Sequence, residues 1–124
     1  MPHTVLEFSR SINDSSKAAG FSQFFKELHL AFAATGILEM GRLKGRIIEH
    51  PHAVVGDSES AGFIYLQISL LEGRTNEQQQ VLLAIATQIL GHWLKTWQVP
   101  ASCSVTIEMR EMREATHRKI TVSS

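Results

Sequence analysis

Few side chains in this sequence could do chemistry, and they are scattered along it. Pro2 follows the initiator Met1. With Met1 removed, its nitrogen is a secondary amine on a rigid ring; with Met1 in place it is an amide and no base. A neutral amine can take a proton from an enolic oxygen or an acidic carbon and return it elsewhere, most efficiently with a pKa near the working pH. An ordinary α-amino group sits at about 7.7–8.0, and burial or neighbouring cations lower that value. Taken alone, Pro2 is only a small residue behind the initiator. Arg74, in Gly73-Arg74-Thr75, offers paired donors to a carboxylate and stays charged. The helix expected behind it would add backbone N–H groups, yet an isolated Gly-Arg-Thr reads as a solvated turn. Arg42, Lys44 and Arg46 form either an anion-binding row or a charged edge strand. His50 and His52 supply two metal ligands with no third indicated, which reads as polar surface. His3 reads as a packing or capping residue, and Cys103 as a buried, inert thiol. Glu7 and Glu39 are possible acids without supporting spacing.

The elements that must position these residues follow from periodicity. Residues 2–8 read as a strand with Thr4, Leu6 and Phe8 on one face and His3, Val5 and Glu7 on the other. A polar connection rich in helix-cap residues leads to a helix over about 16–35. There Phe21, Phe24, Phe25, Leu28, Ala31 and Phe32 form one apolar stripe, and Gly36 is placed to end it. Residues 42–50 read as a second strand, with Arg42, Lys44, Arg46 and Ile48 on one face. Residues 63–71 form the strongest strand pattern. Thr75 and Gln78 fit a capping box for a helix running to about Trp97, before Pro100. Residues 102–109 read as a fourth strand, and a short strand is plausible at 119–122. Strand-helix-strand thus occurs twice, offset by about sixty residues, which suggests an internal duplication. The pseudo-repeats cover about 2–50 and 62–111, with a tail over 112–124, in a single domain spanning 1–124. Each helix is long enough to return its strand parallel. Two such units side by side give a four-stranded sheet with both helices on one face. The other face is left uncovered, a reason to expect an oligomer.

Composition excludes several classes. The chain has 124 residues, with twelve Lys+Arg against twelve Asp+Glu. Zero formal charge argues against a generic nucleic-acid binder, which needs excess positive charge. Hydrophobic residues make up 44% and charged residues 19%, as in globular proteins rather than disordered ones. No apolar run is long enough to cross a bilayer, and the N-terminus lacks the basic and apolar regions of a signal peptide. One cysteine rules out an internal disulfide framework. A cytoplasmic location fits, with neither nucleic acid nor membrane as a partner.

With these elements in place, Met1-Pro2-His3 followed at once by a strand resembles the tautomerase superfamily. Residues 70–86, LLEGRTNEQQQVLLAIA, resemble the strand-to-helix segment of the 4-oxalocrotonate tautomerases. The spacing of FAATGI, GRLKGR and LLEGRT is most similar to the 5-carboxymethyl-2-hydroxymuconate isomerase family, over roughly residues 1–95. The resemblance implies an α/β (α+β) fold, a β-α-β pseudo-repeat with a four-stranded mixed sheet, in a homotrimer. It implies an allylic proton shift needing no metal or organic cofactor, in an unsaturated 2-hydroxy or 2-oxo di- or tricarboxylate such as 5-carboxymethyl-2-hydroxymuconate. Pro2 would be base and proton carrier. Arg74 matches the family arginine behind the glycine, and would hold the substrate and favour charge on its 2-oxo oxygen. The family's strand-two arginine aligns with Lys44, which attracts a carboxylate but cannot clamp it in a planar fork; Arg46, on the same face, could substitute. Decarboxylation or dehalogenation of small unsaturated acids on the same fold, and a non-catalytic oligomeric ligand-binding module, are the alternatives.

Overall fold

The computed structural model describes residues 2–10 and 15–122, with the side chains of the first helix described from residue 20 onward. Met1 and the expected cap residues within 11–14 lie outside the described residues. The elements run β1 (His3–Ser9), α1 (Ser15–Ala34), β2 (Lys44–His50), β3 (Phe63–Leu71), α2 (Asn76–Thr96) and β4 (Ser104–Met112), with 3-10 turns at Met40–Arg42 and Glu114–Thr116. The sheet order is β2-β1-β3-β4. β1 pairs parallel with β2, β3 pairs parallel with β4, and β1 meets β3 antiparallel. This is the expected mixed sheet of two β-α-β units.

Alternation decides which face each strand buries. Leu6 and Phe8 of β1 stand opposite Leu66 and Ile64 of β3. Together with Ile68 and Leu70 they form one core with Phe21, Phe24, Phe25, Leu28 and Phe32 of α1 and Leu82, Ala86 and Leu90 of α2. Both helices therefore cover one sheet face. The Phe21 ring contacts Phe8 in a tilted arrangement and Trp97 edge-to-face, each at a centroid distance of 4.8 Å. Trp93 Nε1 donates to Glu27 Oε2 at 2.9 Å, tying α2 to α1. The α2 N-terminus has the expected capping box: Gln78 N donates to Thr75 Oγ1 and Thr75 N to Gln78 Oε1. α1 ends before Gly36, whose φ is 77°.

Three expectations need correction. The β2 strand begins at Lys44, not Arg42, because Met40–Arg42 winds a 3-10 turn closed by Arg42 N to Glu39 O and Leu43 N to Met40 O. Arg42 therefore drops out of the row it was expected to share with Lys44 and Arg46. The β4 strand runs Ser104–Met112, later than 102–109, because Cys103 N bonds back to Pro100 O before pairing with β3 begins. No strand forms at 119–122, where Ile120 and Val122 are exposed.

The opposite sheet face, which neither helix covers, carries several polar contacts. His3 Nδ1 faces Arg46 Nη1 at 3.3 Å, and His50 lies 3.6 Å from Glu7. Tyr65 Oη donates to Glu108 at 2.6 Å, and Glu108 also takes Arg110. The hydrogen bond to Glu108 raises the Tyr65 pKa, while Tyr65 and then Arg110 lower that of Glu108. Ile48, 38% exposed, is the apolar residue most open on β2's share of this face.

Two positions hold β2 and α1 against β1. Gly45 lies under the Phe25 ring so closely that an added Cβ would overlap it. Thr4, fully buried, donates its hydroxyl to Lys44 O at 2.8 Å. Its one proton is thus used, so the 3.2 Å contact with His29 Nε2 must be a donation from a His29 ring protonated at Nε2. Burial lowers the His29 pKa below its ordinary 6.5.

Gly45→Ala should therefore destabilise the protein by about 1–3 kcal/mol through overpacking. Gly41→Ala, which meets nothing within 4 Å, should stay within about 0.5 kcal/mol; urea unfolding of both checks this. Neutral His29 sets a pH dependence as well. Its contribution is fully present above the unfolded value near 6.5 and is lost as pH falls through the lower folded value. The urea midpoint should fall on acidification below about pH 6.5, and less so in His29→Gln, which keeps a donor for Thr4. His3, lowered by burial and then by Arg46 and Lys44, accounts for part of the fall that remains.

Candidate active site

Pro2 is buried at the start of β1. Lys44 N donates to Pro2 O at 3.2 Å, continuing the β1–β2 ladder to the end of the sheet. Because His3 faces the open side, alternation turns Pro2 toward the helix layer. There it lines a cavity of about 320 Å³ with Gly36, Ile37, Glu39, Arg42, Leu71, Glu72, Arg74 and Glu114. The volume is at the small end of the range for ligand sites.

Arg74 reaches the cavity because β3 ends at Leu71 and the chain turns sharply before α2. Gly73 takes a φ of 118°, a conformation that side chains rarely adopt. Arg74 Nη1 then donates to Leu71 O at 3.1 Å, and its own carbonyl accepts from Gln79 Nε2 at 3.2 Å. Both ends of the arginine are thus held. Among the described residues its guanidinium pairs with no carboxylate, so it keeps donors for a planar anionic group.

Arg42 is the second cation of the cavity, placed there by the 3-10 turn. Its Nε lies 3.0 Å from Glu39 Oε2, so it arrives already partnered. On the opposite wall, Glu72 Oε2 accepts the backbone N–H of Glu114 at 2.7 Å. That bond pins the turn after β4 and brings the Glu114 carboxylate to the same cavity.

The site residues expected from sequence are thereby divided. Pro2 and Arg74 meet in one cavity. Lys44 and Arg46 do not line it: they pair with His3 and Val5 in register and project from the open face. Lys44 Nζ donates to Arg42 O at 3.2 Å, and Arg46 contacts His3. Of the two candidate acids, Glu39 lines the Pro2 cavity, whereas Glu7 is on the open face near His50. His50 and His52 border a separate cavity of about 340 Å³ with Ser9, Arg10 and Glu59. Among the described residues no three His, Cys, Asp or Glu side chains gather as metal ligands. Cys103 is half-buried against the core.

Glu72 and Glu114 are not singled out by sequence. Arg42 is, as part of a row with Lys44 and Arg46, and the structure separates it from that row and brings it to the cavity. Glu72 stood inside the LLEGRT motif and could have been found there. Glu114 carries no local signal, since its place depends on a bond to a residue 42 positions earlier.

No curated protein matches the chain at the level of sequence. Solved structures match its fold. A 5-carboxymethyl-2-hydroxymuconate isomerase from Deinococcus radiodurans R1 is 20% identical with a TM-score of 0.80, over 98% of this chain and 90% of that one. A 5-carboxymethyl-2-hydroxymuconate delta-isomerase is 18% identical with a TM-score of 0.63, over 99% and 89%. A fused 4-OT described as a symmetric trimer is 15% identical with a TM-score of 0.66, over 91% and 87%. At these identities the likeness establishes a tautomerase-type fold. The family model for 5-carboxymethyl-2-hydroxymuconate isomerase matches residues 2–122, nearly the whole sequence, and the chain belongs to that family.

Proposed function

We propose that the chain, once Met1 is removed, is a tautomerase that uses the Pro2 nitrogen as its base. The observation that carries this reading is the meeting of Pro2 and Arg74 in one partly apolar cavity. The neutral Pro2 nitrogen takes the proton of a substrate's 2-hydroxyl. The electron pair moves into a C2 carbonyl and along the conjugated double bonds, and Pro2 returns the proton to a distal carbon. Arg74 holds the carboxylate and stabilises the negative charge that develops on the 2-oxygen, where a fixed donor acts most strongly. Burial favours the neutral amine, and Ile37 and Leu71 offer apolar surface to the substrate's carbon chain.

The substrate class is an unsaturated 2-hydroxy or 2-oxo acid. The family's name makes 5-carboxymethyl-2-hydroxymuconate, a tricarboxylate met in the catabolism of aromatic compounds, the first compound to assay. A homotrimer belongs to the same reading. It is supported by the trimeric fused 4-OT among the structural neighbours and by an open sheet face that neither helix covers. In such an assembly Lys44 and Arg46 would reach a substrate only from a neighbouring chain. Among the described residues no helix is long and apolar enough to cross a membrane, consistent with a cytoplasmic enzyme.

Ketonisation of enol acids followed by ultraviolet absorbance tests the reading. In chains that begin at residue 2, Pro2→Ala should lower kcat by about 10²–10⁴-fold. Arg74→Ala should lower kcat/KM by about 10²–10³-fold, with unfolding midpoints close to the parent's in both. Normal turnover after Pro2→Ala would show the mechanism to be wrong.

A further inference from the structure

Once Met1 is removed, Pro2 is joined to the fold at one end only. Its carbonyl accepts the Lys44 N–H at 3.2 Å, and its ring leaves rotation about Cα–C as the backbone torsion that swings the nitrogen. How steadily that nitrogen is aimed depends on how steadily Lys44 is held. Lys44 is the first residue of β2, one residue after the 3-10 turn, and it is followed by Gly45. β2 is an edge strand, paired on one side, and a glycine weakens a strand further.

The interior supplies the support. Thr4 shares a face of β1 with Pro2 and is fully buried. Its hydroxyl donates to Lys44 O at 2.8 Å and accepts from His29 Nε2 at 3.2 Å. Lys44 is thus gripped on both sides of its Cα, its N–H by Pro2 O and its carbonyl by Thr4. His29 belongs to α1, where the Phe25 ring packs beside it at a centroid distance of 6.0 Å. The far end of this series of bonds is therefore a packed helix. Pro2, Thr4, His29 and Lys44 belong to one chain, so these contacts hold whatever a neighbouring chain adds around the cavity.

We propose that Thr4 and His29 are positioning residues for Pro2: their hydrogen bonds fix the Lys44 backbone, and through it the terminal nitrogen, in the orientation that proton transfer needs. The proposal rests on the proton-transfer reading above and names two residues that serve it without touching substrate. A misplacement of about 1 Å costs a reaction about 10²-fold. A nitrogen swung toward water also loses the burial that favours its neutral form.

The test uses chains beginning at Pro2, with enol acids as substrates. Thr4→Val removes the hydroxyl and His29→Leu removes the donor. Each should lower kcat by about 10–10²-fold and leave KM within about twofold of the parent's, because Arg74 still holds the substrate carboxylate. Thr4→Ser and His29→Gln keep those groups and should recover most of the loss. The second readout is the Pro2 nitrogen itself, titrated by nitrogen NMR in chains carrying isotope-labelled proline. In Thr4→Val and His29→Leu its pKa should rise toward the ordinary α-amino range of about 7.7–8.0. A purely structural role would lower the urea midpoint and leave kcat and the Pro2 titration of the folded protein at parent values. That result overturns the proposal, and beside an inactive Pro2→Ala it leaves the proton-transfer reading intact. If Thr4→Val does not fold, His29→Leu, altered at the half-buried partner, carries the test. Normal turnover by Pro2→Ala, or none by the parent, defeats the proton-transfer reading, and the titration then decides alone. A raised Pro2 pKa that Thr4→Ser and His29→Gln restore supports the positioning; an unchanged one overturns it.

Discussion

The site depends on how firmly the first strand is held at its beginning. A chain terminus ordinarily frays, and a base placed there would wander with it. Here Pro2 O accepts the backbone N–H of Lys44, and two residues later Thr4 spends its hydroxyl proton on Lys44 O while taking one from His29. β1 is also an inner strand, paired on both sides from its first residue. Pro2 is thereby placed by a parallel ladder, an antiparallel ladder and a helix, with Gly45 leaving room for the Phe25 ring beside them. Rigid supports of this kind let a small group do chemistry with little reorganisation.

The second half of the duplicated plan supplies what the first lacks. The β3–α2 turn carries Arg74 to the cavity, and the capping box of Thr75 and Gln78 fixes where that turn ends and the helix begins. The turn after β4 is then drawn in by Glu72 through the backbone of Glu114. Pro2 comes from one unit and Arg74 from the other. Glu39 and Arg42, from the crossover of the first unit, complete the rim.

Much of this was legible in the sequence, and the reason is locality. The Phe stripe of α1, the alternation of β1 and β3 and the Thr75 box each involve residues a few positions apart, so their patterns predict the elements directly. Pro2 and Arg74, which line one cavity, stand out in the sequence because they lie in short motifs at the ends of such elements. What failed was decided by distant partners or by one irregular turn. A row of Arg42, Lys44 and Arg46 looks continuous until Met40–Arg42 winds into a 3-10 turn. That turn sends Arg42 to the cavity and leaves Lys44 and Arg46 on the other face. Glu114 and the later span of β4 depend on contacts with β3 and its following turn, which no local pattern announces. The apolar pair Ile120 and Val122 has strand-like spacing, but spacing does not create a pairing partner.

All of this matters to function only if the nitrogen of Pro2 is free. The most direct measurement compares turnover of an enol acid by the chain that starts at Pro2 and by the same chain with Met1 retained, each checked by intact mass and by its unfolding midpoint. The account predicts matching stability, turnover in the first and none above background in the second, because a retained Met1 turns the base into an amide. Equal turnover by both would contradict it and place the chemistry elsewhere in the molecule.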